Sequence, residues 1–123
     1  MRQIGLADSR LTHVARAIRF IREHFSETIR IEQLASLAGM SESTFHRHFR
    51  AVTRLTPIQY QKAVRLQEAR LALVSGGRDV AEVAHAVGYG SASQFSREYR
   101  RHFGAPPGRD AQRIRAAESV PVP

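Results

Sequence analysis

Apolar residues return every three or four positions through most of the chain. Leu11, Val14, Ile18, Ile21 and Phe25 form one stripe, the mark of an amphipathic helix. It covers about residues 9–25, with Asp8 or Ser9 as its cap. Ser26-Glu27-Thr28 breaks the pattern. Ile31, Leu34, Ala35 and Ala38 then mark a short helix over 31–38, ended by Gly39, a residue free to take positive φ. Ser41 caps a helix over 42–53 whose Phe45 and Phe49 lie one turn apart. Thr56-Pro57-Ile58-Gln59 reads as a capping box with proline in the first turn. It opens a helix to Ser75 that carries Tyr60, Ala63, Val64, Leu66, Ala69, Leu71 and Leu73, and Gly76-Gly77 stops it. Asp79-Val80-Ala81-Glu82 is a second box, opening a helix over about 80–87. After the turn Gly88-Tyr89-Gly90, Ser91-Ala92-Ser93-Gln94 is a third, opening a helix over 92–103 with Phe95, Tyr99 and Phe103 inside. Pro106-Pro107-Gly108 starts a weaker last helix to about Ala116, and a flexible tail is expected from Ala117 to Pro123. No alternating run is long enough for a strand. The fold class is all-α, with about seven helices.

The second half of this pattern repeats the first. Leu34–Ser41 aligns with Val83–Gly90 at an offset of 49, and after one extra residue Glu42–Arg50 aligns with Ala92–Arg100 at 50. Ala35/Ala84, Gly39/Gly88, Ser43/Ser93, Phe45/Phe95, Arg47/Arg97, Arg50/Arg100 and Pro57/Pro107 are identical pairs. Each copy is a short helix, a glycine-containing turn and a longer helix, which is a helix-turn-helix. The alanine lets the helices approach, and the large residue after the glycine (Met40, Tyr89) fills the angle between them. The second helix buries Phe45 and Phe49, or Phe95 and Tyr99. Its opposite face carries Ser43, His46, Arg47 and Arg50 in the first copy. In the second copy it carries Ser93, Ser96, Arg97 and Arg100, with Ala92 at its start. Hydroxyls, an imidazole and guanidinium groups at this spacing suit base edges and phosphates in a major groove. Plain helical bundles also use this geometry, but matching arginines in both copies favour DNA over a structural repeat. The helix over 57–75 is ~28 Å long, against ~34 Å between successive major grooves on one face of DNA. One chain can therefore serve two grooves without two-fold symmetry.

Charge points the same way. Among 123 residues, Lys and Arg number 19 and Asp and Glu 11, a formal net charge of +8, and Lys62 is the single lysine. Arginine grips phosphates and guanine edges with two parallel bonds, which lysine does not. Coding bias with solvated helix faces is the bland account of so much arginine; a nucleic-acid partner is the functional one. The absence of cysteine excludes disulfides, thiolate catalysis and zinc–thiolate sites. No apolar run reaches the ~18 residues of a membrane span, and no secretory leader pattern opens the chain, so a cytoplasmic setting is expected. His46 and His48, two residues apart on a helix, point to different faces and make a poor metal pair. His85 reads as structural. Gly88-Tyr89-Gly90-Ser91 lacks the strand and lysine of a phosphate loop. Glu68 sits near Arg65 and Arg70, where pairing is expected. No carboxylate cluster suggests an enzyme, and no cofactor or small-molecule ligand is expected.

The chain resembles the DNA-binding domain of the AraC/XylS family of bacterial transcription regulators, over about residues 12–116. The stretch Asp79–Gly104 carries the resemblance most specifically, followed by Leu34–Phe49, Thr56-Pro57 and Leu66-Gln67-Glu68-Ala69-Arg70. It implies seven helices in two helix-turn-helix subdomains joined by a long helix; the chain accordingly divides into an N-terminal arm (1–8), a first subdomain (9–54), a linker helix (55–76), a second subdomain (77–116) and the tail (117–123). Motif match places recognition on Ser43, His46 and Arg47, and on Ala92, Ser93, Ser96 and Arg97. Arg47 and Arg97 are expected to read bases, guanine foremost. Ser41, Arg50, Arg54, Thr56, Ser91, Arg100 and Arg101 are expected on the backbone. Two departures stand out. Arg54 occupies a turn position where the family often has glycine, as the second copy does at Gly104. Asp110-Ala111 stands where the family usually shows tyrosine then arginine, so the family's docking of the last helix does not carry over by motif match. Most family members carry a further domain ahead of this one, and a piece of a longer regulator is the favoured reading. The expected partners are double-stranded DNA and, for an activator, RNA polymerase. With no heptad seam, the isolated chain is expected to be a monomer. A helical protein-interaction module, or a non-specific nucleic-acid binder, is the alternative.

Overall fold

The computed structural model describes the backbone of residues 2–118 and the side chains of 10–118. Seven helices follow in order: α1 (Arg2–Glu23), α2 (Ile31–Ala38), α3 (Glu42–Thr53), α4 (Pro57–Ser75), α5 (Val80–Ala86), α6 (Ala92–Phe103) and α7 (Pro107–Glu118). No strand occurs among the described residues. They form two compact units, Met1–Val64 and Arg65–Pro123, so the boundary falls inside α4.

The first unit is built on the stripe of α1. Val14, Ala17 and Ile21 are fully buried with Ala38, Phe45 and Phe49, and Leu34 and Ala35 nearly so. The Phe45 and Phe49 rings lie 5.4 Å apart, and Tyr60 of α4 meets Phe49 edge-on at 5.6 Å. Gln61 of α4 donates from Nε2 to the carbonyls of Phe25 and Glu27, at 3.0 and 2.8 Å, tying down the loop after α1. Gly39 takes φ +67° after α2. There the Met40 amide reaches the Ala35 carbonyl and the Gly39 amide reaches Ser36, both at 3.0 Å, which closes the helix as a Schellman motif. The second copy makes the same pair, Tyr89 to Ala84 and Gly88 to His85, also at 3.0 Å. The two turns therefore set their helix pairs by one mechanism.

In the second unit Leu66, Ala69, Leu73, Val83, Ala84, Val87, Tyr89, Phe95, Tyr99 and Ala111 are buried together with one charged residue, Asp110. Asp110 is fully buried. It accepts from Tyr99 Oη at 2.5 Å, from Arg70 Nε and Nη2 at 3.0 and 3.2 Å, and from Arg113 at 2.7 Å. The last helix is thus docked although Asp110 departs from the family's pattern. Asp110 fastens α7 to α4 and α6, because its carboxylate offers enough lone pairs for three donors. Arg115 adds a bond to the Leu73 carbonyl at 3.1 Å, satisfying the C-terminal end of α4. Arg70, expected beside Glu68, instead lies over the Phe103 ring at 4.2 Å and grips Asp110.

Helix ends differ in three places. Residues 2–8, expected as an arm, are the first turns of α1; no proline interrupts them, and Asp8 and Ser9 sit inside the helix rather than at its cap. α1 stops at Glu23, with the Glu27 amide closing a turn onto the His24 carbonyl at 3.0 Å. α7 runs on through Ala117 and Glu118; residues 119–123 of the expected tail lie outside the described residues.

Candidate nucleic-acid interface

Helices α3 and α6 owe their orientation to their buried rings. With Phe45 and Phe49 inward, Ser43, His46, Arg47 and Arg50 all stand exposed on the far side of α3. With Phe95 and Tyr99 inward, Ser93, Arg97 and Arg100 stand exposed on α6 and Ser96 is half-buried beside them. Ala92 is exposed at the first position of α6, and Arg101 is exposed on the side adjoining Arg100. Each unit therefore gathers its expected base-reading residues on one helix face. Arg100, Arg101 and His102 also fill the last turn of α6, where cations complement the helix dipole.

The expected backbone-contact residues lie at helix ends. Ser41 Oγ accepts from the Thr44 amide at 3.3 Å, and Ser91 Oγ from the Gln94 amide at 3.2 Å. Both hydroxyls keep a proton to donate. Thr56 differs, because its capping box is closed on both sides. Its Oγ1 accepts from the Gln59 amide at 3.2 Å, and its own amide donates to Gln59 Oε1 at 3.0 Å. The Thr56 amide is therefore already engaged, and its hydroxyl proton is the donor left for a phosphate. Arg54 is exposed and ends α3 in the left-handed region, with φ +68°. Gly104 holds the equivalent end of α6 at φ +85°.

A polar cluster missed by the sequence reading braces α6. Tyr89 Oη donates to Glu98 Oε1 at 2.7 Å, Gln94 Nε2 donates to Glu98 Oε2 at 3.0 Å, and the Arg65 guanidinium lies 5.8 Å from the centre of the Tyr89 ring. Burial, and then the bond to Glu98, pushes the Tyr89 hydroxyl well above its ordinary range. Burial lowers Arg65, against the attraction of Tyr89 and Glu98. Gln94 is thus turned to Glu98 rather than back to the Ser91 amide, so the third capping box forms by its serine arm. Tyr89 and Glu98 are nine residues apart across a turn, a pairing that helix periodicity does not display. Among the described residues no group of three His, Asp or Glu is close enough to hold a metal ion, and no helix is long and apolar enough to cross a membrane.

Residues 34–113 match the family model described as a helix-turn-helix domain. The chain is 35% identical over 109 residues to the HTH-type transcriptional activator RhaS of Escherichia fergusonii, covering 85% of this chain and 38% of that protein. It is 33% identical over 99 residues to the MmsAB operon regulatory protein of Pseudomonas aeruginosa, covering 80% of this chain and 32% of that one. The chain thus spans about a third to two-fifths of the length of these relatives. Among solved structures, it is 30% identical to the DNA-binding domain of AdpA, a global transcriptional factor crystallised with a target DNA. That match has a TM-score of 0.78 and covers 88% of this chain and 97% of the other. A probable AraC family regulator from Rhodopseudomonas palustris matches at 29% identity and a TM-score of 0.75, covering 85% and 98%.

Proposed function

This chain belongs to the AraC/XylS family of helix-turn-helix transcription regulators, and from that premise we propose that it reads a specific sequence in double-stranded DNA. Each unit lays its second helix, α3 or α6, into a major groove. Arg47 and Arg97 bond guanine edges. Ser43 and His46, and Ala92, Ser93 and Ser96, tune the readout around them. Ser41, Arg50, Arg54, Thr56, Ser91, Arg100 and Arg101 hold phosphates and set the register. The observation that carries this reading is the repeated exposed face, in which an arginine recurs at the same place on two helices oriented by the same pair of buried rings. A cytoplasmic site of action and a monomeric isolated chain belong to the same proposal. So does RNA polymerase as a second partner, since RhaS is named an activator and an activator acts on the transcribing enzyme.

Equilibrium competition at ~150 mM salt tests it, using a duplex recovered by selection and its scrambled counterpart. A specific reader holds the two ~10³-fold or more apart. Equal affinities that vanish together as salt rises would identify a non-specific binder. Binding to neither would leave an interaction module.

A further inference from the structure

The repeat allows the two units to be compared position by position, and on one flank of the second helix they diverge. In α6 this flank carries Gln94 and Glu98, whose polar groups are satisfied together with Tyr89. The equivalent positions in the first copy are Thr44, His48 and, for Tyr89, Met40. Met40 has no hydroxyl to offer. His48 Nδ1 is buried and has no hydrogen-bond partner among the described residues. Beside it opens a groove of about 180 Å³ lined by Arg10, Leu11, His48, Ala51 and Val52. Leu11 and Val52 are 51% and 41% exposed. An apolar space of ~150 Å³ accepts a molecule the size of benzene, so this one takes a single large side chain.

We propose that this groove between α1 and α3 is a docking site for an acidic amphipathic segment of a partner protein. One large apolar side chain fills the groove against Leu11, Ala51 and Val52, and a carboxylate faces Arg10. The sign of the partner's charge follows from the rim. Among the described residues that line the groove Arg10 is the charged one and none is a carboxylate, while the whole chain carries a formal charge of +8. A second copy would bring the same charge and be repelled. A stable dimer also needs ~800 Å² on each side, far more than a pocket for one side chain supplies. The groove lies on the flank of α3 away from Ser43, His46, Arg47 and Arg50, so the partner and DNA do not compete for those residues.

The test is a displayed library of random twelve-residue peptides, panned on the chain and counter-selected on the variant Leu11→Gln/Val52→Gln. That variant keeps every arginine, so peptides that merely imitate DNA are removed. Both residues are exposed, and an unchanged melting curve establishes the fold; Val52→Gln alone serves if the double variant melts early. Groove-dependent clones with a large apolar residue beside Asp or Glu are expected. They should bind the variant roughly tenfold or more weakly, the loss of one buried aliphatic contact. Replacing their carboxylates by lysine should weaken them as well. No groove-dependent clones, or clones that are neutral or basic, would overturn the proposal. So would sedimentation showing that the wild-type chain, but not the variant, associates with itself at micromolar concentration.

Discussion

Arg54 carries backbone strain that its counterpart avoids. A side chain at φ +68° costs ~1–2 kcal/mol that glycine does not incur, partly offset by the greater freedom glycine gains in the unfolded chain. Arg54→Gly should therefore raise stability by ~0.5–1 kcal/mol in urea denaturation and flatten the salt dependence of DNA binding by about one phosphate contact. A destabilised variant would mean the arginine side chain makes contacts that outweigh the strain. Asp110 is the opposite case, a charge placed in a core. Burial alone would raise its pKa, but the bonds from Tyr99, Arg70 and Arg113 outweigh it and hold the carboxyl below its ordinary range. As pH falls, the unfolded chain takes up this proton first. The contribution of Asp110 is therefore intact above about pH 4 and is lost as pH drops through the lower folded value. Asp110→Asn should cost ~3 kcal/mol at pH 7, the low end for breaking a buried pair because Arg70 and Arg113 keep access to water. The variant should also lose less stability than the wild type between about pH 5 and pH 2. Parallel acid unfolding of the two proteins would contradict the assignment.

At the scale of elements, local chemistry decided most boundaries. The starts of α3, α4, α5 and α6 were legible because Ser41, Thr56, Asp79 and Ser91 each accept a first-turn amide. The apolar spacing of Phe45/Phe49 and Phe95/Tyr99 fixed which side of α3 and α6 would be exposed, and hence the candidate site. The start of α1 was not legible, because Asp8 and Ser9 look like caps wherever they fall. The docking of α7 was not legible either, since it depends on Arg70 and Asp110 meeting across 40 residues. A buried aspartate reads in sequence as a surface residue until its donors are known. Three substitutions probe this level. Phe45→Ala and Phe95→Ala, each removing a fully buried ring, should destabilise their units by ~3–5 kcal/mol. An unchanged melting midpoint would show that the ring does not hold its helix. Asp79→Ala should cost ~1 kcal/mol by opening the capping box of α5, with no change in DNA specificity because Asp79 lies outside the exposed faces of α3 and α6.

At the scale of the whole molecule, the proposal of specific DNA reading places two readers in one chain. The duplication explains why arginine recurs at matching places on α3 and α6, at Arg47 and Arg97 and at Arg50 and Arg100. It also separates two kinds of loss. Removing a phosphate contact such as Arg50 or Arg100 should weaken all sequences alike and lower the salt slope, whereas removing Arg47 or Arg97 should cost ~1–3 kcal/mol and relax one position of the site. The most direct measurement is a selection from random duplexes at ~150 mM salt, run side by side with the wild-type chain, Arg47→Ala and Arg97→Ala. Two short motifs about one helical turn apart are expected for the wild type, with each variant losing base preference in a different half. Variants that enrich the wild-type motifs unchanged, or lose both halves together, would contradict independent base reading by the two helices.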